Sequence, residues 1–280
     1  FWLALPGDGP SSHRSICAAR HSSPHMGAQP SALSKRTERA EKTGVLALRD
    51  CGLQTVPEKV LTVRSLRVLD LTNNKLLNLP AAVGQLLELK DVTLDSNKLA
   101  VLPSSICMLP KLEKLSVSSN ALTNLPGAIG SLAKLKHLVV SHNQLSELAD
   151  SVCHCKAIQL LDASHNKLRT LPANIGDLAA LVDLRLGFNA LTSPLPESLG
   201  SLSRLKSLDL RSNPMISALP EPLLRDTPLQ QLQVGEALLG KDGMLREDLP
   251  GREAYMERRK ARIDKEIHSM ATGGDLKFSS

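Results

Sequence analysis

The sequence predicts an α/β horseshoe-shaped solenoid of about nine coils, with a parallel β-sheet on its concave face and short 3₁₀ or irregular arcs on its convex side. Three observations predict this fold. An asparagine recurs at spacings of 23 or 24 residues, and leucines return at fixed positions around each copy. Leu-Pro pairs recur in the second half of the period. Apolar residues make up 42% of the chain, yet only 2% of the residues are aromatic, which a core of stacked leucines explains. The recurring asparagines are Asn74, Asn97, Asn120, Asn143, Asn166, Asn189 and Asn213.

One period reads Leu66-x-x-Leu69-x-Leu71-x-x-Asn74-x-Leu76, which is the leucine-rich repeat signature. Leu69-x-Leu71 predicts a short strand whose leucines point inward while the alternate residues face solvent. A single coil cannot bury its own apolar side, so we expect the coils to stack on one continuous core. The asparagine side chain offers both a donor and an acceptor. We therefore expect it to bond the backbone of its own coil and of the neighbouring coil.

Composition and period divide the chain into four segments. The segments are residues 1–25, 26–44, 45–240 and 241–280. The first is rich in Gly, Pro, Ser and His, and we interpret it as a translated upstream region or a gene-model artefact, with a genuine disordered leader as the alternative. The second is a basic segment with a capping helix over Ser31–Thr43. The third is the leucine-rich repeat domain, and the fourth is a C-terminal cap with a charged tail.

The segment that begins at Met26 matches the N-myristoylation pattern M-G-x-x-x-[ST]. If Met26 is the start, Gly27 would carry the acyl group. A single myristoyl chain binds membranes only marginally, and the basic cluster of Lys35, Arg36 and Arg39 would supply a second signal. This predicts peripheral membrane association, and the alternative is a coincidental Met-Gly pair.

Cysteine usage predicts a reducing, cytoplasmic location. The five cysteines are scattered, and neither paired-cysteine caps nor an Asn-x-Ser/Thr sequon occurs in the sequence. Disulfide frameworks are typical of oxidising compartments. No apolar run approaches the ~20 residues that a membrane-spanning helix needs.

Cys153-His154-Cys155 is the one local pattern that suggests metal chemistry. Cys153 occupies the repeat position that Gly84 holds, and Cys155 occupies a core leucine position. Since a free cysteine behaves as a small hydrophobic residue, we expect both to be core residues. No Ser-His-Asp arrangement, glycine-rich phosphate loop or carboxylate pair stands apart from the repeat. The sequence therefore predicts no catalytic site, no metal site and no cofactor.

The concave face is the predicted binding surface. His142 and His165 share a repeat position one coil apart, so their side chains are expected to approach each other. Such a pair could sense pH or bind a divalent ion weakly, although two exposed polar residues on a binding surface are the simpler interpretation. Aromatic and arginine side chains are the usual anchors of protein interfaces. The predicted partner-binding residues are His137, Val139, His142, Leu160, Asp162, His165, Asp183, Arg185, Phe188, Asp209 and Arg211.

These features predict a monomeric, non-enzymatic scaffold or adaptor that binds another protein through this face. Nucleic acid is a poorer fit, because the early strand positions are acidic. One alternative is a regulatory subunit of a phosphatase or small GTPase complex. Another is a metal-dependent enzyme that uses His137, His142 and His165.

The coil form LxxLxLxxNxLxxLPxxIGxLxxL resembles the intracellular leucine-rich repeats of the Ras-suppressor and SHOC-like type. The segments Ser31-Ala32-Leu33 and Tyr255-Met256-Glu257-Arg258 extend the resemblance to both flanks of the array. The resemblance implies a small, non-enzymatic protein that is cytoplasmic or peripheral to a membrane, with lipidation at Gly27. It says almost nothing about the partner.

Overall fold

Nine parallel strands form one sheet in chain order in the computed structural model, which describes residues 30–272. The strands are β1 Val45–Ala47, β2 Val68–Asp70, β3 Asp91–Thr93, β4 Lys114–Ser116, β5 His137–Val139, β6 Leu160–Asp162, β7 Asp183–Arg185, β8 Ser207–Asp209 and β9 Gln231–Gln233. Equivalent residues of neighbouring coils pair directly, as Leu69 pairs with Val92 and Val92 with Leu115. The predicted solenoid of nine coils is confirmed.

The core runs through every coil because the same strand positions point inward each time. In β2 the middle residue, Leu69, and the residue after the strand, Leu71, are both fully buried. Leu86 and Leu89 enter the same core from the return side of the coil. The first and third residues of each strand are left on the opposite face of the sheet, which is the concave face.

The recurring asparagine joins successive coils through the backbone, as predicted. Asn143 Nδ2 donates to the carbonyl of Val117 in the preceding coil at 2.8 Å and to that of Val140 in its own coil at 3.1 Å. Its Oδ1 accepts from the buried Leu122 N–H at 2.9 Å. The first coil has no preceding strand to bond, so Cys51 can stand at this position there.

The residue before each asparagine, and before Cys51 in the first coil, turns the chain with a positive φ, and we call these residues the turn column. In the described residues they are Asp50, Asn73, Ser96, Ser119, His142, His165, Phe188 and Ser212, with φ between 52° and 57°. Asn, Asp and His are enriched among non-glycine residues in this left-handed conformation, whereas a bulky side chain such as that of Phe188 is uncommon there. Three adjacent coils place rings in the turn column.

Short helical arcs close each coil on the convex side. Most are 3₁₀ turns, and two are short α-helices, α2 Glu58–Thr62 and α3 Glu221–Asp226. The 3₁₀ turns are Ala81–Gln85, Ser104–Met108, Ile129–Ser131, Asp150–His154, Ile175–Asp177, Glu197–Ser201 and Glu236–Leu238. Neighbouring arcs approach closely, since a Cβ on Gly84 would lie 2.5 Å from the Ser105 carbonyl oxygen.

Longer helices cover both ends of the array. Helix α1, Pro30–Thr43, matches the predicted capping helix within one residue and buries Ala40 against the first coil. Helix α4, Arg252–Thr272, buries Tyr255, and its Arg258 donates to the Arg225 carbonyl at 3.0 Å.

The predicted boundaries of the four segments stay predictions. Gly27 and the predicted leader over residues 1–25 lie outside the described residues. Within residues 30–272, no helix combines the length and apolar character that crossing a membrane requires.

Candidate functional site

The predicted partner-binding residues come together on four adjacent coils, those of β5 to β8. Strand register aligns them in two rows, one through the first strand positions and one through the third. His142, His165, Phe188 and Arg211 follow the strands at their carboxyl ends. The two rows are His137–Leu160–Asp183 and Val139–Asp162–Arg185–Asp209.

A stack of three rings is the most distinctive feature of this surface. The ring centroids of His142 and His165 lie 4.0 Å apart, with 11° between the ring planes. Those of His165 and Phe188 lie 4.1 Å apart at 9°. The contact between the two histidines follows from their shared column, as predicted. The stacking of Phe188 on His165 was not predicted, although its spacing of 23 residues from His165 was a visible signal.

Phe188 is 44% exposed, so the stack presents an apolar surface to solvent. His165 lies between the other two rings and is partly buried. Burial, together with the adjacent His142, holds the pKa of His165 below its usual value. The middle of the stack is therefore predominantly neutral at about pH 7.5.

Charged side chains line the next row of the face. Arg185 Nη2 lies 2.6 Å from Asp183 Oδ2, and Arg185 Nη1 lies 3.9 Å from Asp162 Oδ2. In the following coil, Arg211 Nη2 lies 2.9 Å from Asp209 Oδ2. The two arginine side chains are about half exposed. Burial raises the pKa of Asp209, but hydrogen bonds from Arg211 outweigh it and keep the pKa below its usual value.

Small residues separate the ring stack from the charged row. Ser141, Ser164 and Gly187 occupy this position in three successive coils. A Cβ on Gly187 would lie 3.0 Å from Asp209 Oδ2, so glycine leaves the space in which that carboxylate lies. Gly187 was absent from the predicted site, because its role depends on the side chain of the following coil.

Asp95 is a solvent-facing acidic position of the early coils that the predicted partner-binding residues did not include, and it connects two coils. Its carboxylate accepts a hydrogen bond from Ser116 Oγ at 2.7 Å and another from the Ser118 N–H at 2.7 Å. The ion pairs of the described residues do not include Asp95, unlike Asp70, which pairs with Arg49. The early coils of the concave face thus hold a carboxylate that forms no ion pair within 4.0 Å among the described residues.

The cysteine pattern is part of the core. Cys153 and Cys155 are fully buried, and burial raises the pKa of each thiol to about 11. Among residues 30–272, no group of three or more histidine, cysteine, aspartate or glutamate side chains is arranged to hold a metal ion. His137 lies in the first strand position and is not part of the ring stack.

Comparison with protein families agrees with the geometry. The leucine-rich repeat family model matches residues 87–145 and 110–168, and a second leucine-rich repeat model matches residues 65–86. The coils within residues 65–168 match leucine-rich repeats, and the fold is a leucine-rich repeat solenoid with an extended concave surface of the kind that solenoid proteins use for binding. Proteins of this class are typically binding scaffolds rather than enzymes.

Two curated relatives match short parts of the chain. Plant intracellular Ras-group-related LRR protein 7 of Oryza sativa subsp. japonica is 46% identical over 65 residues, which cover 23% of this chain and 25% of the relative. Human leucine-rich repeat protein 1 is 39% identical over 57 residues, 20% of this chain and 14% of the relative. The matched regions are thus a quarter or less of each relative.

Solved structures match much more of the fold. The LRR protein LIC12759 of Leptospira interrogans superimposes with a TM-score of 0.66 at 30% identity, over 80% of this chain and 58% of that protein. The plant peptide hormone receptor RGFR1, solved in complex with RGF2, gives a TM-score of 0.61 at 26% identity, over 69% of this chain and 32% of the receptor.

Proposed function

We propose that this chain is a monomeric, non-enzymatic scaffold or adaptor that binds another protein across β5 to β8 of its concave face. The observation that carries the proposal is the ring stack beside the two half-exposed arginines. Interfaces draw most of their binding energy from a few aromatic and arginine anchors. Here Phe188, Arg185 and Arg211 lie within two neighbouring coils.

The structural relatives support a protein as the partner. The receptor RGFR1 was solved with RGF2 bound, so a solenoid of this kind can hold a peptide ligand. The acidic residues of the early strands speak against nucleic acid, whose phosphates need basic contacts.

A role in the cytoplasm, in intracellular signalling, is part of the proposal. The rice relative carries the words intracellular and Ras-group-related in its name. The segments that flank the repeats here are similar to those of leucine-rich repeat-containing protein 57, which favours a small adaptor. If translation starts at Met26, a myristoyl group on Gly27 would add weak membrane attachment. Intact-mass spectrometry of the endogenous protein tests this: a mass for residues from Gly27 plus one myristoyl group supports it, and an unmodified terminus overturns it.

Capture of the partner from native extract tests the binding face. The bait variant combines Phe188→Ala with Arg185→Ala, and the matched control is Met108→Ala, which removes a side chain that is 70% exposed on the convex side. Since anchor residues dominate interface energies, we expect the double variant to recover at least about tenfold less partner than wild type. The control should recover the wild-type amount. Equal recovery by the wild type, the double variant and the control would contradict the assignment of this face as the binding surface.

A second candidate function is a regulatory subunit of a phosphatase or small GTPase complex. The Ras-group-related name of the rice relative favours it. It predicts a stable, stoichiometric complex with an enzyme in size-exclusion chromatography of native extract. Elution as a free monomer at all protein concentrations would exclude it.

A further inference from the structure

One end of the ring stack is open beside a serine. The turn column continues from His142 to Ser119 in the preceding coil, and the two residues share the same backbone conformation, with φ of 52° and 54°. A ring at position 119 would lie on His142 much as His165 does on the other side. Because Ser119 is small and exposed, no ring of the described residues stacks on that face of His142.

A carboxylate from the preceding coil reaches the backbone next to Ser119. Asp95 Oδ1 is 2.7 Å from the backbone nitrogen of Ser118, the residue directly before Ser119. The single O–H of Ser116 is shared between the two oxygens of Asp95, at 2.7 and 2.9 Å, and Oδ1 also accepts from the Ser118 N–H. A carboxylate offers about four acceptor sites, so capacity remains for a donor from another molecule.

The opposite end of the stack has a different electrostatic character. Phe188 also borders a serine of the turn column, Ser212. The charged neighbours there are Arg211 and its ion-pair partner Asp209. A cation bound at this end would therefore be repelled by Arg211, whereas Asp95 at the Ser119 end forms no ion pair within 4.0 Å among the described residues. Only the Ser119 end combines a free ring face with a negative charge.

We propose that the niche formed by the His142 ring, Ser119 and Asp95 receives an arginine side chain of the partner protein. The guanidinium stacks on the imidazole and donates a hydrogen bond to the carboxylate. This inference rests on the proposed function, because it places an anchor of the partner on the same concave face. Arginine fits both requirements, since its guanidinium is planar, charged and able to stack on aromatic rings. Lysine has no plane to stack, and an aromatic side chain has no charge for Asp95.

The test uses three twelve-residue peptides with the same Gly/Ser/Leu frame, which carry four arginines, four lysines or four citrullines. Binding to the full chain is measured by isothermal titration calorimetry at about pH 7.5. Stacking plus a charged hydrogen bond should favour the arginine peptide by about tenfold over each of the other two.

Two substitutions should remove this preference. Ser119→His fills the niche with a fourth ring of the kind that His142 and His165 already provide in this conformation. Asp95→Asn keeps an acceptor for the Ser118 N–H but removes the charge. We expect the arginine preference to fall to about twofold or less in both variants. The matched control is Ser212→His, which extends the other end of the stack and should leave the preference at its wild-type value.

The inference is overturned if the wild-type chain binds the three peptides equally or binds none. It is also overturned if Ser119→His keeps the preference, or if Ser119→His and Ser212→His behave alike. A single-stranded RNA that displaces the arginine peptide would assign the niche to a different ligand. If partner capture depends on Phe188 and Arg185 while no arginine preference is seen, the niche proposal fails and the proposed function stands. If capture is also independent of those two residues, both fail.

Discussion

Removal of the Asn143 side chain should lower the free energy of unfolding by an amount that follows from its hydrogen bonds. In Asn143→Ala, the Leu122 N–H loses its only hydrogen-bond acceptor. The Val117 and Val140 carbonyls each lose one donor but keep another, from Asn120 and Asn166 respectively. One orphaned buried N–H costs about 1–3 kcal/mol, and weakening the shared bonds adds about 1 kcal/mol. The free energy of unfolding should therefore fall by about 2–4 kcal/mol.

The assay is urea unfolding followed by circular dichroism, with the m-value compared between variants to detect partial unfolding of the repeat array. Asn124→Ala is the matched control, because Asn124 is exposed and its one side-chain hydrogen bond among the described residues is to the neighbouring Thr123 hydroxyl at 3.4 Å. Its unfolding free energy should change by less than about 0.5 kcal/mol.

A third variant separates the two halves of the asparagine side chain. Asn143→Asp keeps an acceptor for Leu122 N–H but turns a carboxylate oxygen toward the Val117 and Val140 carbonyls. It should be at least as destabilising as Asn143→Ala, because a buried charge then faces two acceptors. If both Asn143 variants lose no more stability than Asn124→Ala, the explanation of the repeating asparagine is refuted.

Three further predictions concern the convex arcs, the ring stack and the core cysteines. Gly84→Ala should lower the free energy of unfolding by about 1–3 kcal/mol, because its Cβ would press on the Ser105 carbonyl, whereas Gly127→Ala, with nothing within 4 Å, should be nearly neutral in urea unfolding. Since the pKa of His165 is lowered in the folded chain, chiefly by burial, the unfolded chain binds the proton more tightly. Stability should then fall as pH drops below about 6.5, and His165→Ser should flatten that part of the pH profile in urea titrations. In native thiol labelling followed by peptide mass spectrometry, the partly exposed Cys51 should react well before the three buried cysteines of the described residues, because burial raises the pKa of each of those thiols to about 11. Early labelling of the buried cysteines would contradict their placement in the core. Among the described residues, the buried cysteines are Cys107, Cys153 and Cys155.

Much of the fold follows from the period alone, because each coil repeats the same pattern of buried leucines and buried backbone groups. An inward Leu69 and Leu71 require a strand, and a buried turn requires a side chain that both donates and accepts. The period also predicted that Cys153 and Cys155 are core residues, since a residue at a core position has the same surroundings in every coil. Equal spacing thus predicts backbone and burial together.

The details of the site depend on contacts between unlike side chains, which a period does not determine. Asp95 reaches toward Ser118 only because a hydroxyl and an amide are available there. Gly187 is needed because of the carboxylate of Asp209 in the next coil. The ring of Phe188 completes the stack through the left-handed backbone of the turn column, whose side-chain direction the alternation of a strand does not describe.

Site-specific photo-crosslinking tests the binding face most directly. A chain with p-benzoylphenylalanine in place of Phe188 keeps an aromatic group in the stack, and a second chain carries the same group in place of Met108 on the convex side. After irradiation in native extract, we expect a covalent adduct with a partner protein from position 188 and none from position 108. Adducts of equal yield from both positions, or none from position 188, would contradict the assignment of the concave face as the binding surface.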